Sequence, residues 1–275
     1  MNIMLRAPMA LAALVLTGAV SAATVASDNF NTYAAGSALL GANGGSGWTG
    51  GWTASNNMMV AATAAGDSPM SGNALSVAPR TPEGIASRNL ATAVNAGAVL
   101  IEFVFQFDAG APDQNDFLGL WFGNSNAANI GLKVNCGDGS CPAGGTTADL
   151  FVRTSGTDNN TNAAYTTNIT IGQSYTLMGL LEKVGTSTVY NRYSLWVDPT
   201  AAERSSLSGA DAVAFGSSTL SSFSTVGFRS VNLTGNDRLL VDSLSIATVP
   251  EPGSLALVSA ALLGLGAAAR RKRQA

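Results

Sequence analysis

The 275-residue sequence contains no histidine, only two cysteines and only five glutamates. The absence of histidine excludes Ser-His-Asp and Cys-His catalysis and every metal centre that depends on histidine ligands. Charged residues make up only 11% of the chain, whereas apolar residues make up 46% and glycine occurs 31 times. This composition argues against a highly charged disordered chain and favours a globular protein rich in strands and loops.

The few charges are unevenly distributed. Residues 24–248 carry nine basic and 16 acidic residues, a net charge of −7, while Arg6 and four residues near the C-terminus supply the other five basic side chains. Nucleic-acid binding needs clustered lysine and arginine. We therefore expect no nucleic acid among the partners of this acidic body.

The first 23 residues have the pattern of a secretory signal peptide. Arg6 precedes an apolar run, Met9–Val20, and small residues follow at Ser21, Ala22 and Ala23. This order predicts cleavage after Ala22 or Ala23 and export of the remaining chain. An uncleaved anchor is the alternative, and the short apolar run disfavours it.

The last 27 residues, 249–275, have three parts. A stiff tripeptide (Pro250, Glu251, Pro252) is followed by the uncharged run Gly253–Ala269 and then by a basic cluster (Arg270, Arg271, Lys272, Arg273). Proline limits extension of a helix back through the tripeptide. A 17-residue helix would span about 25 Å, slightly less than the roughly 30 Å of a hydrocarbon core. We predict a single transmembrane helix whose basic end stays in the cytoplasm.

This arrangement resembles the PEP-CTERM sorting signal of exported Gram-negative bacterial proteins. The resemblance implies recognition by an exosortase, a membrane-embedded cysteine transpeptidase that cuts near the tripeptide. The chain would then be anchored in the inner membrane only transiently, before its body reaches the cell surface or extracellular matrix. The alternative is an ordinary C-terminal anchor with incidental prolines.

Two cysteines, Cys136 and Cys141, enclose a four-residue segment. In an oxidising compartment this spacing predicts a disulfide. A zinc site is the rival interpretation, but two cysteines without histidine do not complete the usual ligand set.

The central segment, residues 24–248, alternates apolar and polar residues in short runs separated by turn residues. These runs predict strands at Met58–Thr63, Asn73–Ala78, Ile85–Leu90, Ala98–Phe107, Phe117–Phe122, Asn129–Asn135, Ala148–Arg153, Tyr175–Lys183, Tyr190–Val197, Phe223–Ser230 and Leu239–Ala247. One short helix is expected within Pro199–Ala214. The pattern predicts an all-β fold, an antiparallel sandwich or barrel in one domain.

Several segments resemble jelly-roll modules of the concanavalin A-like or carbohydrate-binding type. They are an N-terminal Asp-Asn-Phe, a glycine-rich loop with tryptophans, SGNALSVA, SLWVDP at Ser194–Pro199 and LLVDSLSIAT at Leu239–Thr248. The resemblance implies an antiparallel jelly-roll β-sandwich. It also implies a structural calcium ion between the first and last strands, with carboxylate oxygens from Asp28 and Asp242. The alternative is that Asp28 caps a turn and Asp242 faces solvent.

Tryptophans in the glycine-rich run 36–52 are candidates for stacking on sugar rings. Trp48 and Trp52 lie where a loop is expected, so their rings are predicted to be exposed. Burial in the core is the competing interpretation.

Glycan cleavage would require two carboxylates across a cleft. Jelly-roll glucanases carry them as Glu-x-Asp-x-x-Glu, whereas Glu102 is followed at those positions by Val104 and Phe107. We therefore expect a non-catalytic exported protein of the envelope or extracellular matrix that is processed by an exosortase, with extracellular polysaccharide as a candidate ligand. A carbohydrate-binding module proper is the first alternative, and a glycan-cleaving enzyme built on aspartates is the second.

Overall fold

A computed structural model describes residues 22–64, 68–95, 97–113, 115–136, 148–156 and 162–249. Within these ranges the chain forms 15 strands and one helix. The strands are β1 (Ala23–Asp28), β2 (Trp48–Ala54), β3 (Met58–Ala62), β4 (Asn73–Val77), β5 (Gly84–Val94), β6 (Ala98–Ala109), β7 (Phe117–Phe122), β8 (Asn129–Lys133), β9 (Leu150–Arg153), β10 (Ala163–Thr166), β11 (Ser174–Glu182), β12 (Arg192–Val197), β13 (Ala212–Phe215), β14 (Phe223–Val231) and β15 (Arg238–Val249). The helix is α1 (Ala201–Ser206).

The strands form two antiparallel sheets. The eight-stranded sheet has the order β13-β12-β11-β6-β15-β4-β3, with β1 paired to β15. The seven-stranded sheet has the order β10-β9-β8-β7-β14-β5-β2. Neighbours in space are often distant in sequence, as where β14 lies between β5 and β7.

The main hydrophobic core lies between the two sheets. On β6 the inward residues alternate with period two and are Val99, Ile101, Phe103, Phe105 and Phe107. Successive side chains of a strand point to opposite faces, so the sequence AVLIEFVFQFDA places one large apolar residue in the core at every second position. Each buried aromatic or aliphatic side chain of this kind stabilises the fold by about 1.5–3 kcal/mol.

The last strand, β15, occupies an interior position in the eight-stranded sheet. One side of β15 pairs with β6, and the other side pairs first with β4 and then with β1. An irregularity in the register between Asp242 and Ser245, with Ser243 at φ 55°, separates the two pairings. The first and last strands of the body therefore lie side by side.

The predicted all-β class and antiparallel jelly-roll β-sandwich are confirmed. The glycine-rich run 36–52, expected to be a loop, ends in the strand β2, and the segment expected to hold a helix contains α1 followed by β13. The predicted signal peptide and C-terminal transmembrane helix concern residues 1–23 and 249–275, which lie almost wholly outside the described residues. Among the described residues, no helix has the length and apolar character needed to span a membrane.

Candidate functional site

The outer face of the seven-stranded sheet, away from the core, carries the richest set of functional side chains. On β7, Leu118, Leu120 and Phe122 pack into the core. Because side chains alternate along a strand, Phe117 and Trp121 point to the opposite face. The same alternation applies to the neighbouring strands.

The strand register arranges the outward residues in rows. One row runs through Ser87, Gly227, Trp121, Asn129 and Arg153. The next runs through Ile85, Arg229, Gly119, Gly131, Phe151 and Tyr165. The third runs through Val231, Phe117 and Lys133. We call Phe117, Trp121, Asn129, Lys133, Phe151, Arg153, Tyr165 and Arg229 the outer-face cluster.

Two glycines allow the aromatic rings of the cluster to lie close to the sheet. A Cβ atom on Gly119 would be 2.6 Å from Cζ of Phe117, and one on Gly227 would be 2.4 Å from Cζ2 of Trp121. A side chain at Gly119 would therefore displace the Phe117 ring, and one at Gly227 would collide with the Trp121 ring and with the carbonyl oxygen of Ala86 at 2.2 Å. The absence of side chains at these two glycines therefore helps to determine where the two aromatic rings lie.

Arginine side chains contact the rings of the cluster. The guanidinium carbon of Arg153 lies 5.4 Å from the ring centroid of Phe117 and 5.3 Å from that of Phe151. The guanidinium carbon of Arg229 lies 5.9 Å from the Phe117 centroid, and its Nε forms an ion pair with Glu83 at 2.5 Å. Cation–π contacts of this kind are each worth about 0.5–2 kcal/mol. They hold both guanidinium groups near one ring.

A pocket of about 160 Å³ opens at this cluster. It is lined by Asn115, Phe117, Lys133, Arg153, Arg229, Val231 and Asn232. Among these described lining residues, three are cationic and none is acidic. The pocket therefore has a positive wall with one aromatic ring.

Three buried polar atoms of the outer face have no hydrogen-bond partner among the described residues. They are Nε1 of Trp121, Oδ1 of Asn129 and the hydroxyl of Tyr165. Burial raises the pKa of Tyr165 to about 12, so its hydroxyl stays protonated and can donate. Leaving such a group unsatisfied costs about 1–3 kcal/mol.

Sequence reasoning missed this cluster although its signal is present. In FLGLWF the residues Phe117 and Trp121 share the face opposite Leu118 and Leu120. In the short strands NIGLK and LFVR the same face carries a cation, Lys133 or Arg153. Every residue of these three strands is buried. Alternation along them therefore separates residues that face the core from residues on the outer face, and it does not separate buried residues from exposed ones.

The two tryptophans predicted to stack on sugars lie on β2, and the expected exposure is wrong for Trp52. Trp52 is 1% exposed and belongs to the main core, where its ring centroid is 6.3 Å from that of Phe30. A fully buried indole offers no face to a sugar ring. Trp48 is half-buried, and its Nε1 donates a hydrogen bond of 2.9 Å to the carbonyl of Ser27.

Asp28 lies at the end of β1, buried at 1% exposure beneath the glycine-rich segment. Its Oδ2 accepts hydrogen bonds from the Tyr33 hydroxyl at 2.5 Å, Trp52 Nε1 at 2.9 Å and an Arg88 nitrogen at 3.2 Å. Its Oδ1 accepts the backbone N–H of Phe30 at 3.0 Å. Burial and the contact with Asp28 raise the pKa of Tyr33 to about 12, so Tyr33 donates throughout the physiological range.

Arg88 connects this carboxylate to the glycine-rich segment. Its guanidinium donates to the carbonyls of Gly44 at 2.7 Å and Gly50 at 2.8 Å and to Oδ1 of Asn43 at 2.5 Å. Sequence reasoning assigned no role to Arg88. Its place in the core follows from alternation along β5, where it lies between the core residues Ala86 and Leu90.

Asp242 lies near Asp28, at the irregularity of β15, and it is buried and not solvent-facing. Its oxygens accept the backbone N–H groups of Ser71 at 3.1 Å and Ser243 at 2.5 Å. Burial raises its pKa, and the charge of Asp28 adds to the increase. The two residues predicted to bind calcium are therefore brought together.

The donor set around Asp28 does not fit a calcium ligand, since a phenol, an indole and a guanidinium already point at it. Arg88 supplies the positive charge that the prediction assigned to calcium. Within the described ranges, no three histidine, cysteine or acidic side chains are grouped as a metal ion would require. Calcium at Asp28 and Asp242 stays a prediction, and the geometry does not favour it.

Three aspartates meet beside the pocket, where the loops before β7 and before β15 approach each other. Asp116 is fully buried, and its Oδ2 accepts the backbone N–H of Asp113 at 2.7 Å. Its Oδ1 has no hydrogen-bond partner among the described residues. Burial raises the pKa of Asp116 to about 7, and the charges of Asp237 and Asp113 contribute to the increase. Asp116 is therefore a buried carboxyl group that titrates near neutral pH.

The other predicted site residues are mostly outside the described ranges. Cys136 is fully buried, but Cys141 is not described, so the disulfide stays a prediction. The tripeptide Pro250, Glu251 and Pro252 and the basic cluster from Arg270 to Arg273 also lie outside the described residues.

Comparisons with solved structures give low sequence identities. A carbohydrate-binding module, CBM66, from Bacillus subtilis is 13% identical, with a TM-score of 0.40, 72% of this chain covered and 95% of the other. The VIP36 exoplasmic/lumenal domain in its Ca²⁺/Man3GlcNAc-bound form is 8% identical, with a TM-score of 0.46 and coverage of 73% and 86%. A carbohydrate esterase from the Shiga toxin-encoding bacteriophage phi24B is 13% identical, with a TM-score of 0.46 and coverage of 84% and 100%.

No curated protein matches the sequence at a significant level. The C-terminal segment, in contrast, matches a family model described as the PEP-CTERM protein-sorting motif over residues 248–273. This match agrees with the tripeptide, apolar run and basic cluster identified in the sequence, and such a motif directs sorting at the membrane by an exosortase. The chain therefore carries a PEP-CTERM protein-sorting motif at its C-terminal end.

Proposed function

We propose that this chain is an exported, non-catalytic protein that an exosortase cleaves near Pro250–Pro252, and whose β-sandwich body binds polysaccharide outside the cell. The observation that carries the proposal is the match of residues 248–273 to the sorting motif. The body would be held at the inner membrane during processing and then reach the cell surface or extracellular matrix. The predicted signal peptide at residues 1–23 provides the route of export.

Processing has a direct test by intact-mass measurement. We expect protein recovered from the medium or cell surface to lack the residues after about Pro252. Replacement of Pro250, Glu251 and Pro252 with alanine should leave the precursor in the membrane fraction. The unaltered chain expressed in a strain without exosortase is the control and should be retained in the same way. Secreted protein that still contains Gly253–Ala275 would refute the processing step.

The polysaccharide-binding part of the proposal is supported by the outer-face cluster. The pocket combines one aromatic ring, Phe117, with the amides of Asn115 and Asn232 and with three cationic groups. Sites that bind small polar ligands commonly combine apolar walls with a few polar groups.

A glycan array with the purified full-length chain in detergent tests this binding. Phe117→Leu should weaken binding of any detected glycan about tenfold, as expected for loss of an aromatic contact worth ~1.4 kcal/mol. Trp48→Leu is the matched control, because it removes an aromatic ring away from the pocket. Unchanged binding in Phe117→Leu, or loss only in Trp48→Leu, would show that the site lies elsewhere. The melting temperature of each variant verifies that it is folded.

Glycan cleavage is the competing function. It would require a pair of carboxylates, and the sequence offers aspartates for this purpose. New reducing ends released from a broad polysaccharide panel by the purified chain would replace the non-catalytic proposal with this one.

A further inference from the structure

We propose that the pocket of the outer-face cluster binds the carboxylate group of an acidic polysaccharide, with Lys133, Arg153 and Arg229 as the recognising cations. This inference rests on the proposed polysaccharide binding and specifies the class of glycan. It predicts selectivity for sugars that carry a uronic acid.

The distribution of charge provides the first argument. Residues 24–248 contain only nine basic side chains and have a net charge of −7. Three of the nine nevertheless line one pocket, and they come from three strands of the same sheet, β8, β9 and β14. The sheet register places these three cations together on a body whose net charge is negative.

The geometry of the arginines provides the second argument. Both guanidinium groups lie against the ring of Phe117, with carbon-to-centroid distances of 5.4 Å for Arg153 and 5.9 Å for Arg229. Arg153 is 2% exposed and contacts a second ring, Phe151. A planar guanidinium held in place can donate two parallel hydrogen bonds to a carboxylate. Its attraction for an anion is also stronger at a partly buried site than in bulk water.

Several acidic side chains among the described residues lie near the pocket, and each takes part in other contacts or is buried. Glu83 pairs with Nε of Arg229 at the edge. The carboxylate of Asp149 accepts the backbone N–H groups of Asn135 at 2.7 Å and Ile169 at 2.9 Å. Asp116 has its pKa raised to about 7 by burial, so it carries only part of a negative charge at neutral pH. These groups reduce the positive field of the pocket but do not line it.

The size of the pocket indicates which part of a glycan it admits. Its volume of about 160 Å³ is smaller than the roughly 300–1,000 Å³ of sites that enclose a drug-sized ligand. The pocket can therefore receive a substituent of one sugar unit and cannot enclose a chain. A carboxylate that projects from a sugar ring is negatively charged, opposite to the lining cations, and it is small enough for this pocket.

The test is titration calorimetry of the purified full-length chain in detergent with three polymers. They are polygalacturonate, which is carboxylated, dextran sulfate, which is sulfated, and dextran, which is neutral. We expect binding of polygalacturonate that weakens as salt is raised from about 50 to 500 mM, because salt screens the long-range attraction between the polyanion and the cations of the pocket. Dextran should bind at least about tenfold more weakly, since a charge-assisted hydrogen bond is lost.

Substitutions assign the effect to the pocket. Lys133→Gln and Arg229→Gln should each weaken polygalacturonate binding about tenfold, the loss expected for one charge-assisted contact. Arg192→Gln is the matched control, because it also removes one positive charge but lies on β12 of the other sheet. Arg229→Lys should be intermediate, since lysine keeps the charge without the planar fork. Melting temperatures establish that the variants are folded.

The outcomes distinguish the two proposals. Binding of dextran with no preference for polygalacturonate would overturn the carboxylate inference and leave polysaccharide binding intact. Binding of dextran sulfate alone would overturn the choice of carboxylate. Equal losses in Arg192→Gln and in the two pocket variants would show that total charge, and not this pocket, is responsible. No binding of any polymer on the panel or of the array glycans would refute both proposals.

Discussion

Replacement of Arg88 with methionine is expected to lower the free energy of unfolding by about 3–5 kcal/mol, the usual cost of removing one partner of a buried ion pair. Arg88 and Asp28 are both almost completely buried and lie 3.2 Å apart. The substitution leaves the Asp28 carboxylate in the core without its cation. It also removes the donors that the carbonyls of Gly44 and Gly50 use.

Urea unfolding of the purified full-length chain at pH 7 measures the effect by linear extrapolation. Arg192→Met is the matched control, because Arg192 forms a partly exposed pair with Glu182 at 2.5 Å. Loss of such a pair costs about 1 kcal/mol or less. The double variant Asp28→Asn/Arg88→Met should be less destabilised than Arg88→Met alone, since it carries no unpaired buried charge. A loss below about 1 kcal/mol in Arg88→Met would contradict the structural role assigned to this pair.

The second large expected effect is a dependence of stability on pH that Asp116 causes. Burial raises its pKa from 3.8 to about 7 in the folded chain, whereas the unfolded chain titrates near the ordinary value. Between these values the unfolded state releases the proton and the folded state keeps it. The contribution of Asp116 to stability is therefore complete below pH 4, decreases as pH rises to about 7, and is then constant. The slope is at most about 1.4 kcal/mol per pH unit.

Asp116→Asn isolates this contribution. An asparagine oxygen can still accept the backbone N–H of Asp113 but does not titrate, so the variant should become more stable than the unaltered chain above pH 7. Urea unfolding at pH 4, 5.5, 7 and 8 gives the difference between the two proteins as a function of pH. Asp211→Asn is the control. Asp211 is exposed, and its Oδ2 accepts the N–H of Val197. A difference that does not change between pH 4 and pH 8 would refute a raised pKa at Asp116.

The sequence was sufficient for the fold class because most strands have one inward and one outward face. Alternation identified strands such as β6 and β14 within one or a few residues. It failed for β2, WTGGWTA, because glycine is rare in strand interiors and the segment resembles a loop. Contacts made by Trp52 and Arg88 with Asp28 hold this segment in place, and they join residues up to 60 positions apart. No local pattern encodes such contacts.

The candidate site was less predictable than the fold. Sequence reasoning chose Trp48 and Trp52 because tryptophans in a glycine-rich run are expected to be exposed. The pocket instead draws Phe117, Lys133, Arg153 and Arg229 from four strands, and only the strand order β9-β8-β7-β14 brings them together. In that order β14 pairs with β7, although about 100 residues of chain separate the two strands. Alternation within a single strand does not specify which strand will be its neighbour.

The pairing of β1 with β15 also bears on the order of events during export. Ala23 at the start of β1 lies opposite Thr248 near the end of β15, and Thr248 is also the first residue of the sorting motif. Because β15 contacts β6, β4 and β1, the eight-stranded sheet lacks an interior strand until residue 249 has crossed the membrane. We therefore expect the eight-stranded sheet to be completed late in export, once the whole of β15 is available. Folding of the body and the arrival of the sorting motif at the membrane are expected to occur together.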